Sequence, residues 1–153
     1  MKGTWLGFGL LAILLAGCAG SSTPVPDRQQ AQTAAAESPV VGPRWRLILI
    51  GTDERWVGSE PAWFEVIPNG GALRLTGSDG CNRLNGQVSF DDGNRIHIEN
   101  LASTRMACPN LANAQRVGML FENAYRYLID GDRLVFFGRD SRVLGGFQRT
   151  TPR

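Results

Sequence analysis

Beyond Lys2 the sequence has no lysine, and it carries one histidine, His97, and three cysteines, Cys18, Cys81 and Cys108. These shortages remove several kinds of chemistry. A lone imidazole between Arg95 and Glu99, on a stretch with strand-like alternation, leaves both a histidine-based triad and a histidine-rich metal site without parts. The elbow G-x-S-x-G, the pair C-x-x-C, the zinc helix H-E-x-x-H and the phosphate loop are missing. An excess of one charge is missing too: 16 basic side chains face 14 acidic ones, for a formal net charge of +2. The arginines are scattered from Arg28 to Arg153 and never form a run, so no nucleic-acid partner is expected. Asp91 and Asp92 precede Gly93-Asn94, but calcium-loop spacing is absent and the stretch reads as a hairpin turn. No metal, no cofactor and no enzymatic activity are expected.

A long hydrophobic run is also lacking. The charge-free apolar stretch from Trp5 to Ala16 would rise only about 18 Å as a helix, against a bilayer core of roughly 30 Å. Behind Lys2 and ahead of small residues, it has the layout of an export signal. It ends at Leu15-Ala16-Gly17-Cys18, which resembles the lipobox of bacterial lipoproteins. The resemblance implies that residues 1–17 are a cleaved signal peptide and that Cys18 becomes the mature N-terminus. Cys18 would then carry a diacylglycerol thioether and a palmitate-type N-acyl chain, and more than one chain is what stable anchoring needs. Ala19, rather than aspartate, follows the cysteine. In lipoproteins of this kind that implies the outer membrane, here at its periplasmic face.

Residues 18–43 are rich in Ser, Thr, Gln, Ala and Pro and contain no aromatic residue. Such a segment cannot bury enough apolar surface to offset its ordering entropy and is expected to be a flexible tether. Residues 44–150 form one domain. Segments 45–50, 62–67, 72–76, 86–90, 95–99, 133–137 and 142–147 have strand-like composition and are separated by turn signals such as Asn69-Gly70-Gly71 and Asp130-Gly131-Asp132. In one region the period changes. Leu111, Ala114, Val117, Phe121, Ala124, Tyr125 and Leu128 recur every three or four residues, which predicts an amphipathic helix of about five turns bounded by Pro109 and Gly131.

Export places Cys81 and Cys108 in an oxidising compartment, where an even pair is expected to be joined. A catalytic thiolate at Cys81 with His97 as base is the competing arrangement. Around Cys81, "GSDGCNRLNG" reads as a tight turn: Gly77 and Gly80 supply unusual backbone shapes, while Asp79, Asn82 and Asn85 can hydrogen-bond back to the chain.

Trp45-Arg46-Leu47, "LTGSDGCNRLNGQV" (75–88), "TRMAC" (104–108), a helix and "GDRLVFF" (131–137) together resemble the META domain, also called the HslJ-like domain. The resemblance covers nearly all of 44–150. It implies an α+β fold, a strongly bent antiparallel sheet packed against one long helix, similar to the cracked barrel of type III secretion pilot lipoproteins. Gly80, Asn82, Gly86, Thr104 and Arg105 fall on the family pattern. Thr104 and Arg105 are expected to pin the strand-to-helix connection. The stretch "TDERWVGSEPAW" is left unassigned, and its Trp56 is a candidate exposed contact for a partner. Bacterial members include heat-inducible envelope proteins linked to drug resistance, and no enzymatic activity is established for them. The function expected is therefore that of a non-enzymatic, lipid-anchored envelope protein with a protein-interaction or stress-tolerance role and an unidentified envelope partner. Two alternatives stand beside it. One is a carrier holding an acyl chain or other apolar ligand among Ile48, Phe64, Leu75, Val88 and Phe136; the other is an inhibitor of a cell-wall hydrolase.

Overall fold

Period-two alternation of apolar residues is what makes most of this chain sheet. In β3 (Ala62–Asn69), Ala62, Phe64 and Val66 are buried between half-exposed neighbours; β5 (Arg83–Asp91) repeats this with Leu84, Gly86 and Val88. The protein is seen here as a computed structural model that describes residues 38–150. The signal segment 1–17, the lipidation site Cys18 and the tether as far as residue 37 lie outside the described residues.

The remaining elements are β1 (Arg44–Ile50), β2 (Glu54–Arg55), β4 (Ala72–Asp79), β6 (Arg95–Ser103), α1 (Leu111–Asn123), β7 (Arg126–Asp130), β8 (Arg133–Phe137) and β9 (Val143–Thr150). The sheet is antiparallel throughout, in the order β2-β1-β3-β4-β5-β6-β7-β8-β9, and β1 also pairs with β9. It therefore curls round on itself, as the α+β, cracked-barrel expectation requires. The crack lies between β6 and β7, whose ladder is the single pair Arg95↔Arg126. Two backbone bonds flank that pair, from Ile96 N–H to the Tyr125 carbonyl and from Tyr127 N–H to the Asn94 carbonyl.

Helix α1 fills the gap. Its Ala114, Val117, Leu120 and Phe121 are buried. The Phe121 ring joins Phe64, Phe136 and Phe147, with the Phe64 centroid 5.1 to 5.6 Å from those of the other three. Edge-on aromatic pairs of this kind each add about 0.5–1.5 kcal/mol beyond their buried area. Close approach of helix to sheet depends on Gly145 of β9: a Cβ there would lie 2.4 Å from Leu120 Cδ1 and 2.9 Å from the Leu49 carbonyl oxygen.

Two expectations need correction, and one unassigned stretch is placed. The helix ends at Asn123 instead of continuing to Leu128, because Ala124 turns to extended backbone (ψ 126°) and β7 begins two residues later. Gly131 accordingly sits in the β7–β8 turn, with φ +59°, and is not a helix terminus. Second, residues 38–43, expected in the tether, belong to the packed structure. Val40 is fully buried, its carbonyl accepts the Trp45 indole N–H at 3.1 Å, Val41 bridges to Val66, and Ser38 Oγ hydrogen-bonds the Tyr127 hydroxyl. The unassigned stretch after β1 folds back. β2 pairs with Leu49 and Ile50, and Arg116 of α1 grips Glu54 with two guanidinium N–H donors.

Candidate functional site

The β4–β5 turn is built round one carboxylate. Asp79 is buried, and its Oδ1 accepts the N–H groups of Cys81 (2.8 Å) and Asn82 (2.5 Å) while Oδ2 accepts the Asn82 side-chain amide (3.2 Å). Short Asp and Asn side chains fold back on their own backbone in this way, which explains their crowding in the sequence. Gly80 has φ +88° and lies under the Trp56 ring, so a side chain there would meet both strained backbone and an indole.

The next layer ties this turn to the segment leading into α1. Asn82 Oδ1 accepts the Met106 N–H at 2.8 Å; Thr104 Oγ1 accepts the Arg83 N–H at 3.0 Å, and Thr104 N–H donates to the Arg83 carbonyl. A disulfide joins Cys81 to Cys108, whose Cα atoms are 6.0 Å apart. The bridged arrangement thus takes Cys81 away from nucleophilic chemistry, and His97 is engaged elsewhere, its Nε2 2.9 Å from Asp91 Oδ2. The Thr104 hydroxyl thus ties the connection to β5 by accepting the Arg83 amide proton. Arg105 makes no hydrogen bond or ion pair among the described residues and stays exposed. Trp56, read from sequence as an exposed partner contact, is half-buried: its ring lies against Gly58 and Gly80 and its N–H donates to the Glu60 carbonyl. Gly86 is buried on β5 behind Leu101.

What these ties hold open is a groove of about 820 Å³ between α1 and the C-terminal part of β6. Leu84, Leu101 and Ala114 line it, and Asp79 and Asn82 stand at its base. Its rim is apolar and exposed: Met106 is 56% accessible, Met119 53% and Leu111 43%. Sequence reading placed Met106 only within a motif, counted Leu111 on the helix's apolar stripe although it is exposed in the fold, and did not single out Met119. A sulfur side chain at an exposed helix position opposite a motif methionine was the signal available. Glu122 also borders a second, polar cleft, whose edges include His97, Glu99, Arg139 and Asp140. On the far side of α1 the Arg116 guanidinium holds the Glu54 carboxyl below its ordinary pKa.

The family model described as META domain matches residues 38–151. The chain belongs to the META domain family. The match begins at Ser38, the first of the described residues. Among solved structures, this META domain is similar to a protein from Burkholderia xenovorans determined by NMR, at 19% identity and a TM-score of 0.60, covering 90% of this chain and all of that one. It is also similar to a DUF4847 family protein from Bacteroides vulgatus determined by crystallography, at 13% identity and a TM-score of 0.52, covering 77% of this chain and 99% of that one. At these identities the likeness is one of fold. No curated protein matches the chain.

Proposed function

We propose that this META domain protein is a non-enzymatic lipoprotein, anchored through Cys18 at the periplasmic face of the outer membrane, that holds a protein partner in the groove between α1 and β6. The observation that carries the reading is the exposed trio Leu111, Met106 and Met119 around a groove lined by Leu84, Leu101 and Ala114. Unbranched, polarisable methionine side chains adapt to varied partners, and clustered exposed apolar residues mark interaction surfaces. The lipobox supports the anchor, and the cysteine bridge fits an exported, oxidised chain. A role in stress or drug tolerance would follow from what the partner does. The alternative of an acyl chain inside the barrel has less in its favour. Phe64, Leu75 and Phe136 are fully buried against one another and their neighbours, so a ligand there must displace packed rings.

Two measurements test this. Cells grown with labelled palmitate should yield a labelled, membrane-bound chain, with label and membrane association lost in Cys18→Ser. A photoreactive amino acid in place of Met119 should crosslink to one envelope protein in living cells, whereas the same group in place of Val57, 73% exposed on the β2–β3 loop, should not. An unacylated cytosolic chain, or a Met119 probe that is as silent as the Val57 probe, would refute the reading.

A further inference from the structure

The crack leaves one strand with half of its hydrogen-bonding capacity unused by other strands. Backbone groups of Asn94 and Ile96 point away from β5, toward the α1–β7 connection, as their bonds to Tyr127 and Tyr125 show. Alternation along an antiparallel strand then turns the N–H and C=O of Ile98 the same way. From the other end, Thr104 N–H bonds Arg83 on the β5 side, so Ser103 and Leu101 face outward again, on the far side of the bulge marked by Asn100 at φ +52°. No backbone or side-chain hydrogen bond to these outward groups of Ile98, Leu101 and Ser103 is present among the described residues. Helix α1 faces this edge across the groove, and the backbone groups of its interior turns are spent within the helix and offer the edge no partner.

Ile98 borders the polar cleft, and Leu101 and Ser103 line the methionine-rimmed groove, so the free edge runs through both. An acyl chain lying there would cover the edge and leave its donors and acceptors unpaired, at a cost a polypeptide avoids. The charges are also unequal along the groove. At the cleft end two carboxylates without an ion pair among the described residues, Glu99 and Glu122, outnumber the one such cation, Arg139, whose guanidinium lies over the Tyr125 ring, whereas Arg105 marks the disulfide end.

We propose that the groove takes an extended segment of a partner polypeptide, which adds as a strand to the outer edge of β6 at Ile98, Leu101 and Ser103. Alternate apolar side chains of the segment lie against Leu101, Met106 and Met119, and a basic side chain sits between Glu99 and Glu122. The inference rests on the partner-docking reading and specifies its chemistry.

The test uses the full lipidated chain in detergent micelles and a synthetic peptide alternating valine and threonine with two lysines at one end. Two further versions are N-methylated, each on one alternate set of residues. Amide exchange at Ile98, Leu101 and Ser103 should slow roughly tenfold or more with saturating peptide, as ladder bonds protect amides. A strand docked by one edge should lose binding when one set is methylated and keep it when the other is. Glu122→Arg, at an exposed position, should weaken the basic peptide several-fold while leaving the unfolding midpoint unchanged. Equal binding of all three peptides would overturn the proposal. So would dodecanoate shifting the Met106 and Met119 methyl signals when the peptide shifts none. If the peptide fails while the Met119 photo-adduct persists, strand addition is wrong and partner docking stands; loss of both removes both.

Discussion

Reducing the Cys81–Cys108 bridge in otherwise unchanged protein isolates what that covalent tie does. Its ends are 27 positions apart in sequence. In the chain-entropy model, opening a loop of this size frees the denatured ensemble by about 12 cal/mol/K, or about 3.5 kcal/mol at 25 °C. The native contacts that the bridge spans do not depend on sulfur. Asn82 still accepts the Met106 amide, and Thr104 and Arg83 still exchange their two bonds. The reduced chain should therefore fold to the same structure and be less stable by about 3.5 kcal/mol. For a domain of this size that lowers the melting temperature by roughly 15 °C. Urea unfolding with and without reductant would measure the loss, and the slope against denaturant should steepen as the reduced denatured chain expands. Amide exchange at Met106 in the reduced native state would show whether the turn survives. A loss below about 1 kcal/mol, or a Met106 amide that exchanges freely once the sulfurs part, would refute the division of labour between bridge and hydrogen bonds.

Asn82→Ala removes the acceptor for the Met106 amide and the donor to Asp79, and should cost about 1–3 kcal/mol in urea unfolding; an unchanged midpoint would show that water replaces both bonds. Gly145→Val forces a side chain against Leu120 and the Leu49 carbonyl, so a loss of about 1–3 kcal/mol is expected, and full stability would mean that α1 lifts off β9 freely. Because Arg116 depresses the Glu54 pKa, whatever stability this exposed pair adds is present above the ordinary carboxylate value and fades as pH falls through the folded one. Arg116→Ala should return Glu54 to an ordinary titration by NMR, and a depressed value in that variant would contradict the assignment.

Much of the sheet was visible in the sequence because strands with one buried face alternate, and 133–137 matches β8 residue for residue. The helix end was misplaced because Tyr125 and Leu128 continue the helical spacing, whereas the residues that β7 turns inward, Tyr127 and Ile129, are two apart and too few to declare a strand period. In the fold Leu128 is 52% exposed, on the outer face of β7, while Tyr127 and Ile129 turn inward. β2 is two residues long and carries no periodicity to read. Val40 looked like tether because its surroundings carry no local periodicity, and what seats this segment, the Trp45 indole, the Val41–Val66 bridge and the Ser38–Tyr127 bond, is tertiary. At the site, the turn chemistry of Asp79 and Asn82 was legible from residue type. The groove was not: it arises where α1 meets β6, and no local pattern encodes the gap between two elements.

The early residues entering the fold at Ser38 also decide how it bears load. Within the described residues, a pull from the N-terminal side loads Ser38 and Val40 first, beside Tyr127 and Val66. Val66 pairs with Leu75 of β4, four positions before Asp79, so roughly 13 Å of strand separates this seat from the turn that holds the sulfur bond. With the anchor proposed at Cys18, tension would extract Val40 from its seat before it strained the turn that shapes the groove, and the segment would act as a mechanical fuse ahead of the proposed docking surface.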